Sequence, residues 1–424
     1  MIRPFTMTAT LSAALFITYC SFGDILNVPG DFATIQGAIT AASDGDEVVV
    51  APGTYPETIN LSGRAIIVRS TDPNDAGVVM TTIIDGGGSG SVVTCDSGEG
   101  SDTVLSGFVI TNGLAPNNTS GGGMTNIDAS PTVTNCSFIE NRTFAGFGGG
   151  MYNDGGDLTI FNCSFIGNTA EFGGNGFGGG MYNVDANPTV ANCSFIHNTV
   201  GFDVGGGSGF GGGMYNDGSS PTLTNSPFSQ NATLGASGEG GGMYNANNSN
   251  PTLTGCSFIA NTSGGNAGTS GAGMYNDASS PTMANCMFNA NSGPINGGGM
   301  YNTNNSNPSL TFCSFIGNAA SVGAGMANDG GSPMLNQCSF VANAGGVGGG
   351  MASAPADNPT LLNTGFCGNT PDAVEGPFID LGGNSLEYCW VPQFTDPCPA
   401  DLNGDGTVNV FDLLDLLAAW GGCP

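Results

Sequence analysis

The sequence predicts an all-β protein: a right-handed parallel β-helix solenoid with an N-terminal capping helix and a small C-terminal calcium-loop and helix module. Three observations carry this. First, a block opening Gly-Gly-Gly-Met-Tyr-Asn and closing Pro-Thr-Leu-Thr-Asn-Cys-Ser-Phe-Ile-x-Asn recurs from about residue 121. Its Met falls at Met124, Met151, Met181, Met214, Met243, Met274, Met300, Met326 and Met351, nine copies at steps of 25 to 33 residues, a solenoid period. Second, the distance from Met to Phe within a block (Phe138 to Phe366) stays at 14 or 15 residues, so all length variation lies between Phe and the next Met. Two fixed arcs and one elastic arc describe a coil of three short strands with one protruding loop. Third, no block holds a ten-residue stretch of 3.6 periodicity free of Gly and turn residues, which removes helical solenoids as an alternative.

The elements follow in chain order. Residues 1–23 read as a secretory signal, with Arg3 as the basic segment, an apolar run from Ala9 to Tyr19 and small residues at Ser21-Phe22-Gly23. The mature chain is expected to begin near Asp24, and Thr18-Tyr19 before Cys20 is a poor lipidation context. Residues 24–113 form the cap and first coils. Asp31 is the expected N-cap of a short amphipathic helix with Phe32, Ile35, Ile39 and Ala42 on one face, ended by Asp44-Gly45 and plugging the open core. Strand-like runs follow at 47–51, 65–70, 82–85, 92–95 and 104–111. The nine coils occupy 114–370: strand one is Gly-Met-Tyr-Asn, strand two Pro-Thr-Leu-Thr, then an Asn bend, then strand three Cys-Ser-Phe-Ile. Asn suits the bend because it tolerates the left-handed conformation. Stacked coils place like residues about 4.8 Å apart in ladders, including an Asn three residues after every Phe, from Asn141 to Asn369. Residues 371–397 close and link, and 398–424 form the terminal module.

With those residues in place, the chain resembles a known family. Pro29-Gly30-Asp31 through Thr34-Ile35-Gln36, Gly45-Asp46 to Ala51-Pro52-Gly53-Thr54-Tyr55, Ile83-Ile84-Asp85-Gly86 and Gly107 to Gly113 look like the start of pectin-lyase-like right-handed β-helix proteins. The Gly-Gly and Phe-x-x-Asn blocks are similar to repeats of polymorphic outer-membrane proteins. The resemblance covers about residues 26 to 370. It implies the fold, and it brings polysaccharide lyase or glycosidase activity into consideration.

The terminal module carries the sharpest motif. Asp401, Asn403, Asp405, Asn409 and Asp412 place oxygen donors at loop positions one, three, five, nine and twelve, with Gly406 at six and the Thr407 carbonyl at seven. Such a set suits a hard cation, and calcium is the expected cofactor. An apolar-periodic helix follows from Val410 to Trp420. With Asp at position twelve, the segment resembles one half of a dockerin, which implies calcium binding and an anchoring or cohesin-like partner. Dockerins carry two such loops and this chain has one, which puts cohesin docking in doubt. Cys398 and Cys423 bracket the module as a candidate staple.

Composition bounds the function. Of 424 residues only four are basic, all Arg, against 33 acidic, for a net charge of −29. A nucleic-acid partner is excluded, since it requires a cationic patch, and no apolar run after the leader is long enough to span a membrane. Twelve cysteines remain after Cys20. Seven form a ladder, Cys136, Cys163, Cys193, Cys256, Cys286, Cys313 and Cys338, with Ser226 filling one rung. Parallel Cβ vectors about 4.8 Å apart exceed usual disulfide geometry, which favours buried free thiols. The lone His197 has no second His for metal or triad chemistry, and the Gly-Gly-Gly runs lack the Lys and helix of a phosphate cradle.

Two classes of function stand against each other. A uronate lyase generally needs a Lys or Arg base, and the nine blocks hold one Arg and no Lys. A glycosidase needs two carboxylates, but Asp154, Asp217, Asp277 and Asp329 recur at one turn position, as structural residues do. Glu171, Asp203 and Glu239 are the remaining catalytic candidates. Binding needs repetition, and alternation puts Met inside and Tyr outside on strand one. Tyr152, Tyr182, Tyr215, Tyr244, Tyr275 and Tyr301 then form an exposed ladder that either stacks on sugars or stabilises the sheet. The sequence favours a secreted or cell-surface, non-catalytic protein binding polysaccharide or a cell-surface component.

Overall fold

Each repeat closes one turn of a parallel β-solenoid. The computed structural model describes residues 23–115, 121–144, 146–170, 175–201, 207–235, 237–264 and 270–386. In one coil, strand one is Met151–Asp154, strand two Thr159–Phe161 and strand three Ser164–Ile166. All three pair in parallel with the next coil in strict register, Met151 with Met181, Ile160 with Val190 and Phe165 with Phe195. Strands one and three each build a 12-stranded sheet, and strand two a 14-stranded sheet running from Ile25–Val28 to Ile379–Asp380.

The bends follow from residue chemistry. Strand two turns into strand three through one left-handed residue, Asn135 (φ 53°), Asn162 (52°), Asn192 (52°) and Asn225 (46°) among them, the conformation for which Asn pays least after Gly. A second left-handed corner follows strand three, at Glu140, His197, Gln230, Ala260 and Ala290. This is the variable x of Phe-Ile-x-Asn, and its side chain leaves the coil. Prolines such as Pro188, Pro221 and Pro251 precede strand two, where the missing N–H interrupts no ladder, and their carbonyls accept from Thr222, Thr252 and Thr282 of the next coil.

Columns of like residues fill the interior. Nine Phe rings from Phe138 to Phe366 stack with centroids 4.5 to 4.9 Å apart. Met of strand one and Leu, Ile, Val or Met of strand two pack beside them, almost wholly buried. Two Asn columns satisfy the polar interior. After strand three, Asn231 Nδ2 donates both to Asn261 Oδ1 (2.9 Å) and back to the Phe195 carbonyl (2.9 Å). Asn231 Oδ1 in turn accepts from the backbone N–H and Nδ2 of Asn198 (both 3.0 Å). The strand-one Asn forms a simpler chain, Asn126 to Asn153 to Asn183 and onward to Asn328, each Nδ2 donating to the next Oδ1 at 2.7 to 2.9 Å.

At the N-terminal end, helix α1 (Ile35–Ala41) buries Ile35, Ala38 and Ile39 over the first coils. The expected N-cap Asp31 is corrected to Thr34, whose side chain accepts from the Gly37 N–H. Asp31 instead accepts from the backbone and side-chain amides of Asn27. The Glu57 carboxylate holds the Ile35 and Gln36 N–H groups, and Arg64 donates to the Ala42 and Thr40 carbonyls at the other end. The run expected at 104–111 is two strands, Val104–Ser106 and Val109–Thr111, broken by Gly107 (φ 81°). A second helix, α2 (Ala76–Thr81), capped by Asp75, lies outside the expected elements.

The elastic arc is more than a protruding loop. Its first residues form a fourth, six-stranded ladder that includes Thr169–Ala170 and Thr199–Val200. Farther along, Gly176–Phe177, Gly209–Phe210 and Gly238–Glu239 form a three-stranded one. It then turns into strand one through the Gly run: Gly148 has φ 62°, and a Cβ on Gly150 would lie 2.5 Å from the Gly180 carbonyl oxygen.

Candidate functional site

The tyrosines point out of the coil as alternation requires, but the expectation that they are exposed is corrected: Tyr152, Tyr182, Tyr215, Tyr244 and Tyr301 keep 3 to 7% of their surface. The elastic arc folds back over them. Phe147, Phe177 and Phe210 stack on one another and meet the tyrosine rings edge-on, as with Phe147 on Tyr182 at 5.0 Å and Phe177 on Tyr215 at 5.1 Å. From Tyr152 to Tyr275 the rings also stack face to face, so both faces of Tyr182, Tyr215 and Tyr244 are already taken. Burial first, then nearby carboxylates and, ahead of these for Tyr244, the adjacent Tyr275, pushes the hydroxyls of Tyr152, Tyr182, Tyr215 and Tyr244 up, and that of Tyr301 up to about 12. These six rings, Tyr275 included, form a second apolar cluster beside the main core.

The recurrent carboxylates sit at the turn after strand one in alternate coils. Val184, Ala246 and Thr303 stand in register between Asp154, Asp217, Asp277 and Asp329. Alternation keeps like charges off directly opposed positions, where they destabilise a sheet. It also spaces them two coils apart, roughly 9.6 Å, at the far limit for an inverting glycosidase pair. Their oxygens are engaged: Tyr152 donates to Asp154 (3.2 Å), Tyr182 to Asp217 (3.3 Å), Tyr301 to Asp329 (3.3 Å), and Asn247 and Asn304 to Asp217 and Asp277 (2.6 Å). Glu239 is half-buried where the phenylalanine row ends, paired in register with Phe210. Glu171 and Asp203 lie outside the described residues. Sequence reasoning missed Glu99, which is 2% exposed and accepts from the Gly63 and Ser97 N–H groups, a structural duty.

Among the described residues no group of three or more His, Cys, Asp or Glu is placed to hold a metal ion. His197 stands exposed at its left-handed corner. The seven ladder cysteines and Cys95 are free, buried thiols. Burial pushes Cys95, Cys163 and Cys256 up, and the Cys163 thiol lies against the Val133 and Phe161 carbonyls. Ser226 continues the column by accepting from the Cys193 N–H. Cys367 is disulfide-bonded. The calcium-loop residues Asp401, Asn403, Asp405, Thr407, Asn409 and Asp412, the cysteines Cys398 and Cys423, and residues 1–22 lie outside the described residues.

One surface stands apart by its chemistry. Strand two, its bend and strand three make a nine-residue segment in each coil: 131–139, 158–166, 188–196, 221–229, 251–259, 281–289, 308–316, 333–341 and 359–367. None of the nine contains Asp, Glu, Lys, Arg or His, in a chain with 33 acidic residues. The acidic side chains of the repeats fall on the strand-one turn, the second corner and the elastic arc. Outward on strand two, Thr132, Thr159, Thr189, Thr222, Thr252, Thr282 and Ser309 stand in one row, in register across seven coils.

No family model matches the chain, and no curated protein matches it. Among solved structures it is similar to pectate lyase Pel9A, at 13% identity over 74% of this chain and 78% of that one, with a TM-score of 0.40. It is also similar to a mannuronic acid specific polysaccharide family 6 lyase from human gut microbiota, at 11% identity, 84% and 91% coverage and a TM-score of 0.40. A third is PfbA, a surface adhesin of Streptococcus pneumoniae, at 11% identity, 87% and 92% coverage and a TM-score of 0.28.

Proposed function

We propose that this chain is a secreted or cell-surface, non-catalytic β-helix that binds polysaccharide, with residues 398–424 as a calcium-loaded anchoring module. The observation that carries the reading is the long uncharged corner. It repeats without a break over nine coils and is free of the acidic residues that crowd the rest of the chain. A catalytic centre is a unique constellation, whereas the reactive side chains of these coils recur and hold one another. The carboxylates bind Tyr and Asn, the thiols are buried, and the single cation of the repeats is Arg142. A uronate substrate would meet a net charge of −29 with almost no cation to offset it.

The test is a panel of insoluble neutral and acidic polysaccharides, scored for retention and for release of reducing ends. Retention without release is expected. Release that disappears in Glu239→Gln would replace this reading with a hydrolase. For the terminal module, calorimetry is expected to show one calcium site in the full chain, lost in Asp401→Ala or Asp405→Ala. Unchanged calcium binding in both variants removes that part of the proposal.

A further inference from the structure

Resting on the polysaccharide-binding reading, we infer that the outer face of strand two is the docking track, and that its ligand is a neutral, extended glycan lying along the solenoid axis with one sugar per coil. Three features of that face converge.

The first is charge. The row Thr132, Thr159, Thr189, Thr222, Thr252, Thr282 and Ser309 and its companion Thr134, Phe161, Ala191, Thr224, Thr254, Ala284 and Thr311 contain no ionisable group. The bend beside them is also uncharged from Asn135 to Asn363. An anionic polymer gains nothing there and is repelled by the remainder of the molecule, while a neutral polyol meets a surface of matching polarity.

The second is hydroxyl availability. Thr159, Thr189, Thr222, Thr252 and Thr282 are exposed, and none makes a side-chain hydrogen bond within the described residues. Thr132 and Thr134, at the N-terminal edge of the track, are engaged instead, with the Ser101 carbonyl and the Ser106 hydroxyl. On strand three Ser164 similarly donates to Ser137 at 2.9 Å, the half-exposed Ser row is interrupted by Pro227 and Met287, and the Ile row beside it carries only Ser229 and Asn289 as polar residues. The unbroken run of exposed, unengaged hydroxyls therefore lies on strand two, and each is both a donor and an acceptor, as sugar hydroxyls require.

The third is pitch. Parallel pairing without a register slip repeats each hydroxyl at about 4.8 Å, close to the advance per residue of an extended pyranose chain. A glycan along the axis meets the same Thr methyl and hydroxyl at every sugar. The backbone is fixed before binding, so little ordering cost falls on the protein, and many weak equivalent contacts add along the polymer.

The experiment uses the full chain with microcrystalline cellulose and insoluble β-1,3-glucan as neutral probes and polygalacturonate as the acidic one. The quadruple variant Thr189→Val, Thr222→Val, Thr252→Val, Thr282→Val keeps the β-branched shape and removes the hydroxyls. It is expected to weaken retention on a neutral probe by about tenfold or more, with an unchanged β-sheet circular dichroism spectrum. Thr222→Glu with Thr252→Glu tests the same track by charge, and Asp277→Asn on the acidic edge is expected to bind as the parent does. Full retention in both Thr variants overturns the track while the wider polysaccharide reading survives. Retention on polygalacturonate alone overturns the neutral ligand. Retention on no polysaccharide overturns this inference together with the reading beneath it.

Discussion

Asn231 shows what one polar side chain does inside the coil. Its amide accepts from the backbone and side chain of Asn198 and donates to the Phe195 carbonyl and to Asn261. Removing it orphans groups on two neighbouring coils at once, each costing roughly 1–3 kcal/mol when buried. Asn231→Ala is therefore expected to lose on the order of 3 kcal/mol or more, measured by denaturant unfolding. Asn369→Ala is expected to lose less, because Asn369 ends the column half-exposed and has no next rung. Equal losses at the two sites would mean that the column is not what holds the coils. The recurrence of this Asn was plain in the sequence, and so was its structural character. The strand-one Asn column was not singled out, although alternation with an outward Tyr places it inside. The use of Asp only in alternate coils was also visible in the sequence, but its electrostatic sense needed the register.

The elastic arc and strand one act together as a pair of layers. Six tyrosines and three phenylalanines form a dry seam between them, and its ionisation ties stability to pH. Tyrosine in an unfolded chain titrates near 10, while Tyr301 is held up to about 12 by burial and then by Asp329, and Tyr152, Tyr182, Tyr215 and Tyr244 are also raised. Between those values the unfolded chain has released protons that the folded chain keeps, so stability falls as pH rises. Below pH 10 these groups are neutral in both states and contribute no slope. Alkaline titration is expected to show tyrosinate absorbance rising in step with loss of the β-sheet signal. Ionisation near pH 10 with the sheet intact would contradict the seam. This element is where the sequence misled. Period-two alternation says which side of its own strand a residue faces, and it does so correctly here. It says nothing of what another segment lays over that side. Phe147, Phe177 and Phe210, each just before a Gly run, were the signal. They stand four residues before Met151, Met181 and Met214, but the other six blocks carry no Phe there, so the position does not stand out as part of the repeat.

Across the whole molecule, contacts run from coil to coil, and the fold tolerates changes of length that respect the period. Removing residues 274–299 joins Gly273 to Met300, one full turn by the register that pairs Met274 with Met300. The shortened chain is expected to keep its sheet signature and cooperative unfolding, since solenoid stability is nearly a sum over neighbours. Removing only 274–286 is expected to destroy both, because the Met, Phe and Asn columns then meet unlike partners; the two are compared by circular dichroism and thermal melts. The solenoid class, the strand order, the capping helix and the cysteine column were legible because periodicity survives any loop insertion. The short fourth ladder was hidden, since two-residue strands leave no pattern. One further property belongs to the molecule as a whole. In both asparagine columns each Nδ2 up to the last rung donates to a side-chain oxygen of the next coil, the column after strand three donating also to the preceding Phe carbonyl, and Asn126 Oδ1, the first acceptor of one column, has no donor among the described residues. Aligned amides add head to tail as peptide dipoles do in a helix. The solenoid is therefore a polar rod, oxygen-ended at the capping helix and nitrogen-ended at the last coil, with a field built from neutral side chains that lengthens with every turn.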